Sequence, residues 1–426
     1  MNKNISFREA LAFWLKLGFI SFGGPAGQIA IMHRVVVDER KWMEESRFLH
    51  ALNFCVLLPG PEAQKLATYI GWLLHGTRGG LAAGILFVLP GALVMLGLSI
   101  LYAVGRGIPA IEGALFGIKA AVLVIVVDAL IRIGKRALKT RFLIAVAALA
   151  FIGIFFLSAP FPLIVLAAAV AGFYATKAPL GSAAAPMPGR WRHAALALAI
   201  GSALWWAPVA LVAATLGAKH ALMDVGLFFS KLAVVSFGGA YALLAYMAQQ
   251  AVETYHWMSA PEMVDGLGLA ETTPGPLILV TQFVGFLAAY RDAAPFSPLA
   301  AGVIGAALTT WVTFVPPMTL IFAGAPFVEQ LRSNQRLSGA LAAITAAVVG
   351  VILNLTVWFA LHVLFGVVRE TQIGPVRWYA FDPLALDLQV AALAALAAVL
   401  AFGLKRGLVE LVLVMAALGV ALRLFF

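Results

Sequence analysis

The residues with most chemistry to offer come as two sets. Lys16 is followed by Ser21-Phe22-Gly23-Gly24-Pro25 and then by Pro59-Gly60-Pro61-Glu62. Lys231 is followed by Ser236-Phe237-Gly238-Gly239 and then by Pro274-Gly275-Pro276. Paired glycines admit backbone angles closed to other residues, and proline removes an amide donor. A helix is interrupted at each such point. Pro25 and Pro61 stand where a new half-helix can begin. The amide end of a half-helix carries about half a positive charge, a ready place for an anion. Each lysine precedes its first glycine (Gly23, Gly238) by seven residues, about two helical turns on one face. Lysine at membrane depth calls for an anionic partner, and two of them suit a doubly charged one.

Carboxylates stand close to the Pro-Gly-Pro breaks. Glu62 follows the first directly, Glu271 precedes the second by three residues, and Asp265 lies further back in the same segment. Carboxylates inside apolar spans are functional or paired as a rule. Here they are candidates for carrying a coupling proton, with pairing to Lys65 or Arg34 as the structural alternative. Lys119 and Asp128 read as an internal pair or as interfacial charges rather than as a site.

The elements that hold these residues are strongly apolar. Of 426 residues 63% are hydrophobic and 11% charged, with a mean hydropathy of +0.99. Soluble domains average about 25% charged residues, and many runs here approach the roughly 20 residues that span a bilayer core. The predicted class is an all-α polytopic membrane protein. About thirteen candidate transmembrane segments are read, near 10–32, 48–75, 80–104, 110–131, 141–158, 162–176, 193–216, 222–247, 264–290, 297–325, 338–366, 384–403 and 407–425. The first is read as an uncleaved span. The net charge of +10 sits in short loops, which suits membrane orientation rather than nucleic acid. Cys55 stands alone and reads as a packing residue.

A shift of 215 residues superposes the two sets without a gap. It aligns Lys16 with Lys231, the Ser-Phe-Gly-Gly blocks, Trp42-Met43 with Trp257-Met258, and the Pro-Gly-Pro blocks. Positions 16–61 against 231–276 give fifteen identities in 46, three of them blocks of rare residues in register. The chain is therefore a duplication: an N-terminal repeat over 1–176, a small, Pro/Gly-rich and basic linker over 177–192, and a C-terminal repeat over 193–426. If every segment spans, seven crossings separate the two breaks and the repeats have inverted topology, with a site near the midplane between them.

Enzymatic readings find no support in the spacing. The seven histidines form no HExxH pair and there is no P-loop, so neither a metal cofactor nor ATP-driven transport is expected. No cofactor of any kind is implied.

The blocks FGGPAGQIAIMH (22–33), KW (41–42) and LLPGPEAQKLATYIGWLLHG (57–76) resemble the first-half signature of the chromate transporter family of bacterial membrane proteins. FGGAYALL (237–244) and WMSAPEMVDGLGLAETTPGPLILVTQFVGFLAAY (257–290) resemble its second half. The resemblance implies a secondary transporter exporting chromate across the inner membrane and so giving chromate resistance, with sulfate as chemical analogue and ten to thirteen spans in two opposed halves. It carries the family's motif onto Phe22, Gly23, Gly24, Pro25, Pro59, Gly60, Pro61 and Glu62, and onto Gly238, Gly239, Pro274, Gly275 and Pro276. The second half departs from it at Ala240, and Leu277 stands where the first half has Glu62, so a coupling carboxylate can belong to one half only. A carrier of sulfate or another oxyanion, or an anion channel, is the rival reading. The expected partners are the transported anion, the lipid bilayer and a second copy in a homodimer.

Overall fold

The computed structural model describes residues 5–22, 24–176, 190–236, 240–327 and 335–425. Gly23, Phe237, Gly238, Gly239 and most of the expected linker lie outside the described residues. The first helix, α1 (Phe7–Ile20), opens on Ser6, whose hydroxyl accepts the Glu9 amide, and stops at Ser21 just before the glycine pair. Gly24, at φ +73°, starts α2 (Gly24–His33), which runs on through a wider turn to Glu39. Then come α3 (Glu45–Leu57) and α4 (Glu62–Val104). Between them Leu58 is extended (φ −98°, ψ 149°), as the residue before a proline must be, and Gly60 takes φ +109°. A kink at His75 and Gly76 divides α4 into two arms. The arms pack so closely that a side chain on Gly71 or Gly79 would overlap the other's backbone.

The chain continues through α5 (Pro109–Ala137), α6 (Arg141–Phe155), α7 (Phe161–Ala175) and α8 (Arg190–Thr215). Next are α9 (Ala221–Val235), α10 (Ala240–Gln249), α11 (Ala260–Thr272), α12 (Val280–Arg291) and α13 (Pro298–Gly324). After α14 (Gln335–Leu364) a hairpin of β1 (Val368–Ile373) and β2 (Val376–Phe381) intervenes before α15 (Leu388–Ala398) and α16 (Leu408–Phe425).

Among the described residues six helices are long and apolar enough to cross a membrane: α4, α5, α8, α13, α14 and α16. Four shorter apolar helical stretches accompany them, at 141–155, 161–175, 277–291 and 388–403. The thirteen expected segments thus do not map one to one onto helices. Segment 10–32 is cut into α1 and α2 by its glycines, and segment 48–75 into α3 and the first arm of α4 by Pro59-Gly60-Pro61.

The duplication reappears in backbone detail. Lys41 and His256, 215 apart, are both left-handed, at φ 49° and 52°. The Arg40 amide reaches the Val35 carbonyl at 2.9 Å, as the Tyr255 amide reaches Gln250 at 2.8 Å. Trp42 to Val36 and Trp257 to Ala251 repeat the same bond, both at 2.8 Å. At the same offset α1, α2 and α3 fall on α9, α10 and α11.

By packing, the chain divides into two compact units, each drawing on both sequence halves. The first comprises 1–99, 177–240 and 273–337. Here α13 lies against α8, α9 and α12, and Gly285 and Gly305 let the backbones of α12 and α13 nearly touch. The second comprises 100–176, 241–272 and 338–426. It is built on α5, which α16, α15 and α11 contact; Gly113 and Gly117 admit the α16 backbone at Gly419 and Met415. Small residues at helix crossings are the usual packing device in lipid, where no hydrophobic force drives helices together.

The hairpin, absent from the sequence reading, belongs to the second unit. Its two-residue loop has Gly374 at φ +61°. On β2 the side chain of Arg377 is buried, and its guanidinium donates to the carbonyls of Ile154 (2.7 Å) and Phe155 (3.1 Å). These are orphan carbonyls at the end of α6, where a cation is favoured. Glu253 supplies the countercharge at 3.2 Å. Burial pushes the neighbouring Tyr379 phenol above its usual range, and the Glu253 carboxylate adds to the effect.

Candidate functional site

Within the first unit the interruptions of the two repeats meet, each with the other repeat's opposite break. The Ser21 carbonyl, orphaned at the end of α1, accepts the amide of Gly275 at 2.8 Å. The Ser236 carbonyl, orphaned at the end of α9, accepts the amide of Gly60 at 3.0 Å. Proline leaves Gly60 and Gly275 as the sole amide donors of their triplets. Each break therefore supplies what the other lacks. Gln28 on α2 locks one crossing, donating from Nε2 to the carbonyls of Gly275 (2.6 Å) and Ser21 (3.3 Å).

Two helices close on these crossings. A side chain on Gly91 of α4 would overlap the Pro274 carbonyl, and one on Gly18 of α1 would overlap the Leu86 carbonyl. On the other crossing Pro317 of α13 occupies the space a side chain at Gly60 would need. Gly60 is thus required twice over, for its positive φ (+109°) and for the close approach of Pro317, and Gly275 for its positive φ (+95°).

Around this frame lie buried polar atoms without hydrogen-bond partners: Ser21 Oγ, both polar atoms of the Gln64 side chain, and Thr313 Oγ1 one turn before Pro317. Ser21 and Gln64 are each 0% exposed. Native interiors leave few such groups unpaired, and each needs an explanation. Beside them Lys65, 1% exposed, donates from Nζ to the Leu58 carbonyl just before Pro59, with its Cδ near Gly60. An ammonium, a carboxamide and hydroxyls form a donor set suited to an oxyanion.

The sequence-predicted residues are distributed as follows. Ser21, Pro59, Gly60, Pro61, Ser236, Pro274, Gly275 and Pro276 come together at the crossings. Phe22, Gly24 and Pro25 are half-buried at the start of α2. Gly23, Gly238 and Gly239 lie outside the described residues. Lys16 and Lys231 have exposed side chains, outside the buried face of α1 formed by Ala10, Phe13, Trp14, Leu17 and Gly18 and the corresponding face of α9. Glu62 is half-buried in the first turn of α4. In the second unit Glu271 is buried, and Asp265 accepts the Tyr102 hydroxyl at 2.9 Å and pairs with Lys119 at 3.3 Å.

The last contact overturns the internal-pair reading of Lys119 and Asp128. Nine residues on a helix separate two groups by about 13 Å along the axis, so Asp128 instead pairs with Arg132 one turn on, at 2.7 Å, and Lys119 turns to α11. Sequence reasoning passed over Gln28, Gln64 and Thr313, and took Lys65 only as a countercharge. Adjacent Gln64 and Lys65 inside an apolar span were the available signal.

An interrupted-helix, polytopic membrane protein with a polar centre at its helix breaks is a transporter-like architecture. The family model described as chromate transporter matches residues 8–173 and 223–422, and the chain belongs to that family. It is 34% identical over 350 residues to a chromate transport protein of Pseudomonas aeruginosa, covering 82% of this chain and 80% of that one. A chromate transport protein of Cupriavidus metallidurans is 25% identical over 356 residues, 82% of this chain and 81% of that one. An uncharacterized transporter of Methanocaldococcus jannaschii is 28% identical over 354 residues, with 82% and 83% covered. No solved structure matches the chain.

Proposed function

We propose that this protein is a secondary transporter that exports chromate across a bacterial inner membrane and binds the oxyanion at the crossed breaks. The family and its named members support chromate as cargo. One observation supports the site: the reciprocal bonds of Ser21 with Gly275 and of Ser236 with Gly60, with unpaired Ser21, Gln64 and Thr313 and the buried Lys65 around them. In this reading Lys65 and the break residues meet the dianion, and Lys16 and Lys231 act from the outer helix faces during approach and release. The carboxylates Glu62, Glu271 and Asp265 are the candidates for proton coupling.

We further read the repeats as inverted, crossing near the midplane, with α8 as the unrepeated helix that reverses the second copy. That arrangement is a frequent plan of secondary transporters. Division into repeats at 1–176 and 193–426 follows the same scheme.

Everted membrane vesicles test the function. Energised vesicles containing the protein take up chromate, an uncoupler abolishes the uptake, and Gly24→Leu and Lys65→Met variants lose it. Uptake unchanged by the uncoupler favours a channel. Suppression by a small excess of sulfate makes the protein a general oxyanion carrier. Wild-type rates in both variants refute the site.

A further inference from the structure

In the second unit α11 lies directly on α5. A side chain on Gly268 would overlap Ile118, so the glycine permits this close approach. One turn before Gly268 stands Asp265, and next to Ile118 stands Lys119. The approach therefore presses a carboxylate against an ammonium inside apolar packing, with Asp265 4% exposed.

The pair is loosely made. Lys119 Nζ is 3.3 Å from Asp265 Oδ1, yet outside hydrogen-bond geometry, so this buried oxygen has no donor. The other oxygen accepts the Tyr102 hydroxyl at 2.9 Å. Arg106 stands behind Tyr102, 3.3 Å from the same hydroxyl, and pairs with buried Glu262. The Lys119 side chain keeps 26% of its surface exposed and Arg106 55%. Lys135 and Arg136 lie in the last turn of α5 and Glu271 at the end of α11, and four other charges have partners of their own. On α5, Glu112 accepts the Gly107 amide and Asp128 pairs with Arg132. On α16, Glu410 pairs with Arg406 and Arg423 lies over the Phe116 ring.

We propose that Asp265 and Lys119 form a proton-released charge pair at a second anion position, within the second unit and separate from the crossed breaks: protonation of Asp265 frees the Lys119 ammonium, with Tyr102 and Arg106 beside it, to take an oxyanion. A buried carboxylate left ionised must be paired. While it is charged, Lys119 is bound to it; once neutral at Oδ1, the atom that lacks a donor, it no longer competes with an incoming anion for the ammonium. Linkage makes the effect reciprocal, so the anion also raises the affinity for the proton. One proton and one dianion then load together and cross with a net charge of one negative unit, which an inside-negative membrane potential expels. This inference rests on the transport reading. It selects Asp265 among the three candidate carboxylates and makes Lys119 its working partner.

Purified full-length protein in proteoliposomes, with the potential set by potassium and valinomycin, tests it. The probes are radiolabelled chromate and an entrapped pH dye. Expected for wild type is potential-driven chromate entry accompanied by protons, with a rate that falls as pH rises. Asp265→Asn transports chromate without proton movement and with a flat pH profile. Lys119→Gln loses at least tenfold in rate, and Lys119→Arg restores most of it. Wild-type chromate flux without protons, an unchanged pH profile in Asp265→Asn, or a normal rate in Lys119→Gln overturns the proposal while leaving transport intact. Absence of any wild-type flux refutes the transport reading instead. Should Asp265→Asn fail to fold, Asp265→Glu and Tyr102→Phe must shift the midpoint of the wild-type pH profile; an unmoved midpoint overturns the pair.

Discussion

Ser21 accepts the amide of Gly275 at 2.8 Å, and residues 215 further on in one case and 215 earlier in the other, Ser236 and Gly60, make the same bond at 3.0 Å. When residue i of one copy meets j of the second, and j of the first meets i of the second, the copies are related as in an isologous two-fold contact. The repeats therefore complete one another's backbone hydrogen bonding. In hydrocarbon, each of those groups would cost several kcal/mol if left open. Neither break is stable without its partner from the other half.

The glycines of the breaks should rank by what surrounds them. Gly24 sits at φ +73° with nothing near its missing side chain, so Gly24→Ala costs only left-handed backbone strain, about 1–2 kcal/mol. Gly275, at φ +95° with neighbours at ordinary contact distance, should cost about 1–3 kcal/mol. Gly60→Ala adds overlap with Pro317 and should lose about 3 kcal/mol or more. Thermal unfolding in detergent checks the order Gly60 worst, Gly24 mildest.

Gln64→Leu and Ser21→Ala should stabilise the anion-free protein while impairing transport. Each replaces a fully buried polar group that has no partner, and leaving such a group unsatisfied costs about 1–3 kcal/mol. A raised melting temperature with at least a tenfold drop in vesicle uptake is the expected pair of results. A fall in stability on both substitutions contradicts the assignment of these groups to a ligand.

The breaks and the duplication were legible in the sequence because glycine and proline act on the backbone where they stand. Their pairing was not. Nothing local to Ser21 distinguishes Gly275 from Gly60 as its partner, since both triplets offer the same lone amide. The placement of Lys16 was not legible for a related reason: its seven-residue spacing to Gly23 fixes its angle around the helix, but Ala10, Phe13, Trp14 and Leu17 decide which face is buried. The hairpin escaped notice because its six-residue strands interrupt a run of apolar helices, although Gly374-Pro375 marked the turn.

Arg377 should be a strong determinant of stability in the second unit. Its side chain is 3% exposed, and the guanidinium caps the end of α6 at Ile154 and Phe155 while pairing with Glu253. Arg377→Ala strands Glu253 and the helix carbonyls, at a cost of about 3–5 kcal/mol. Glu253→Gln keeps a hydrogen-bonding group and should cost less. A double-mutant cycle read by thermal unfolding should show coupling between the two of at least about 0.5 kcal/mol.

The three lysines separate the competing assignments of positive charge. Lys65 is enclosed beside Gly60 and already holds the Leu58 carbonyl, so its ammonium is desolvated and positioned before an anion arrives. A charge in such surroundings interacts far more strongly than one in contact with water or headgroups. Lys16 and Lys231 keep exposed side chains, and the field of an exposed charge is screened. Lys65→Met should therefore abolish chromate uptake in vesicles, whereas Lys16→Ala and Lys231→Ala should each lower it less than about threefold, since surface charges are worth about 1 kcal/mol or less. Raising ionic strength should erase the Lys16 and Lys231 effects and leave the Lys65 effect unchanged. A loss in Lys16→Ala as deep as that in Lys65→Met would mean that α1 turns its lysine inward during transport, and accessibility of a cysteine at position 16 with and without chromate would detect that rotation.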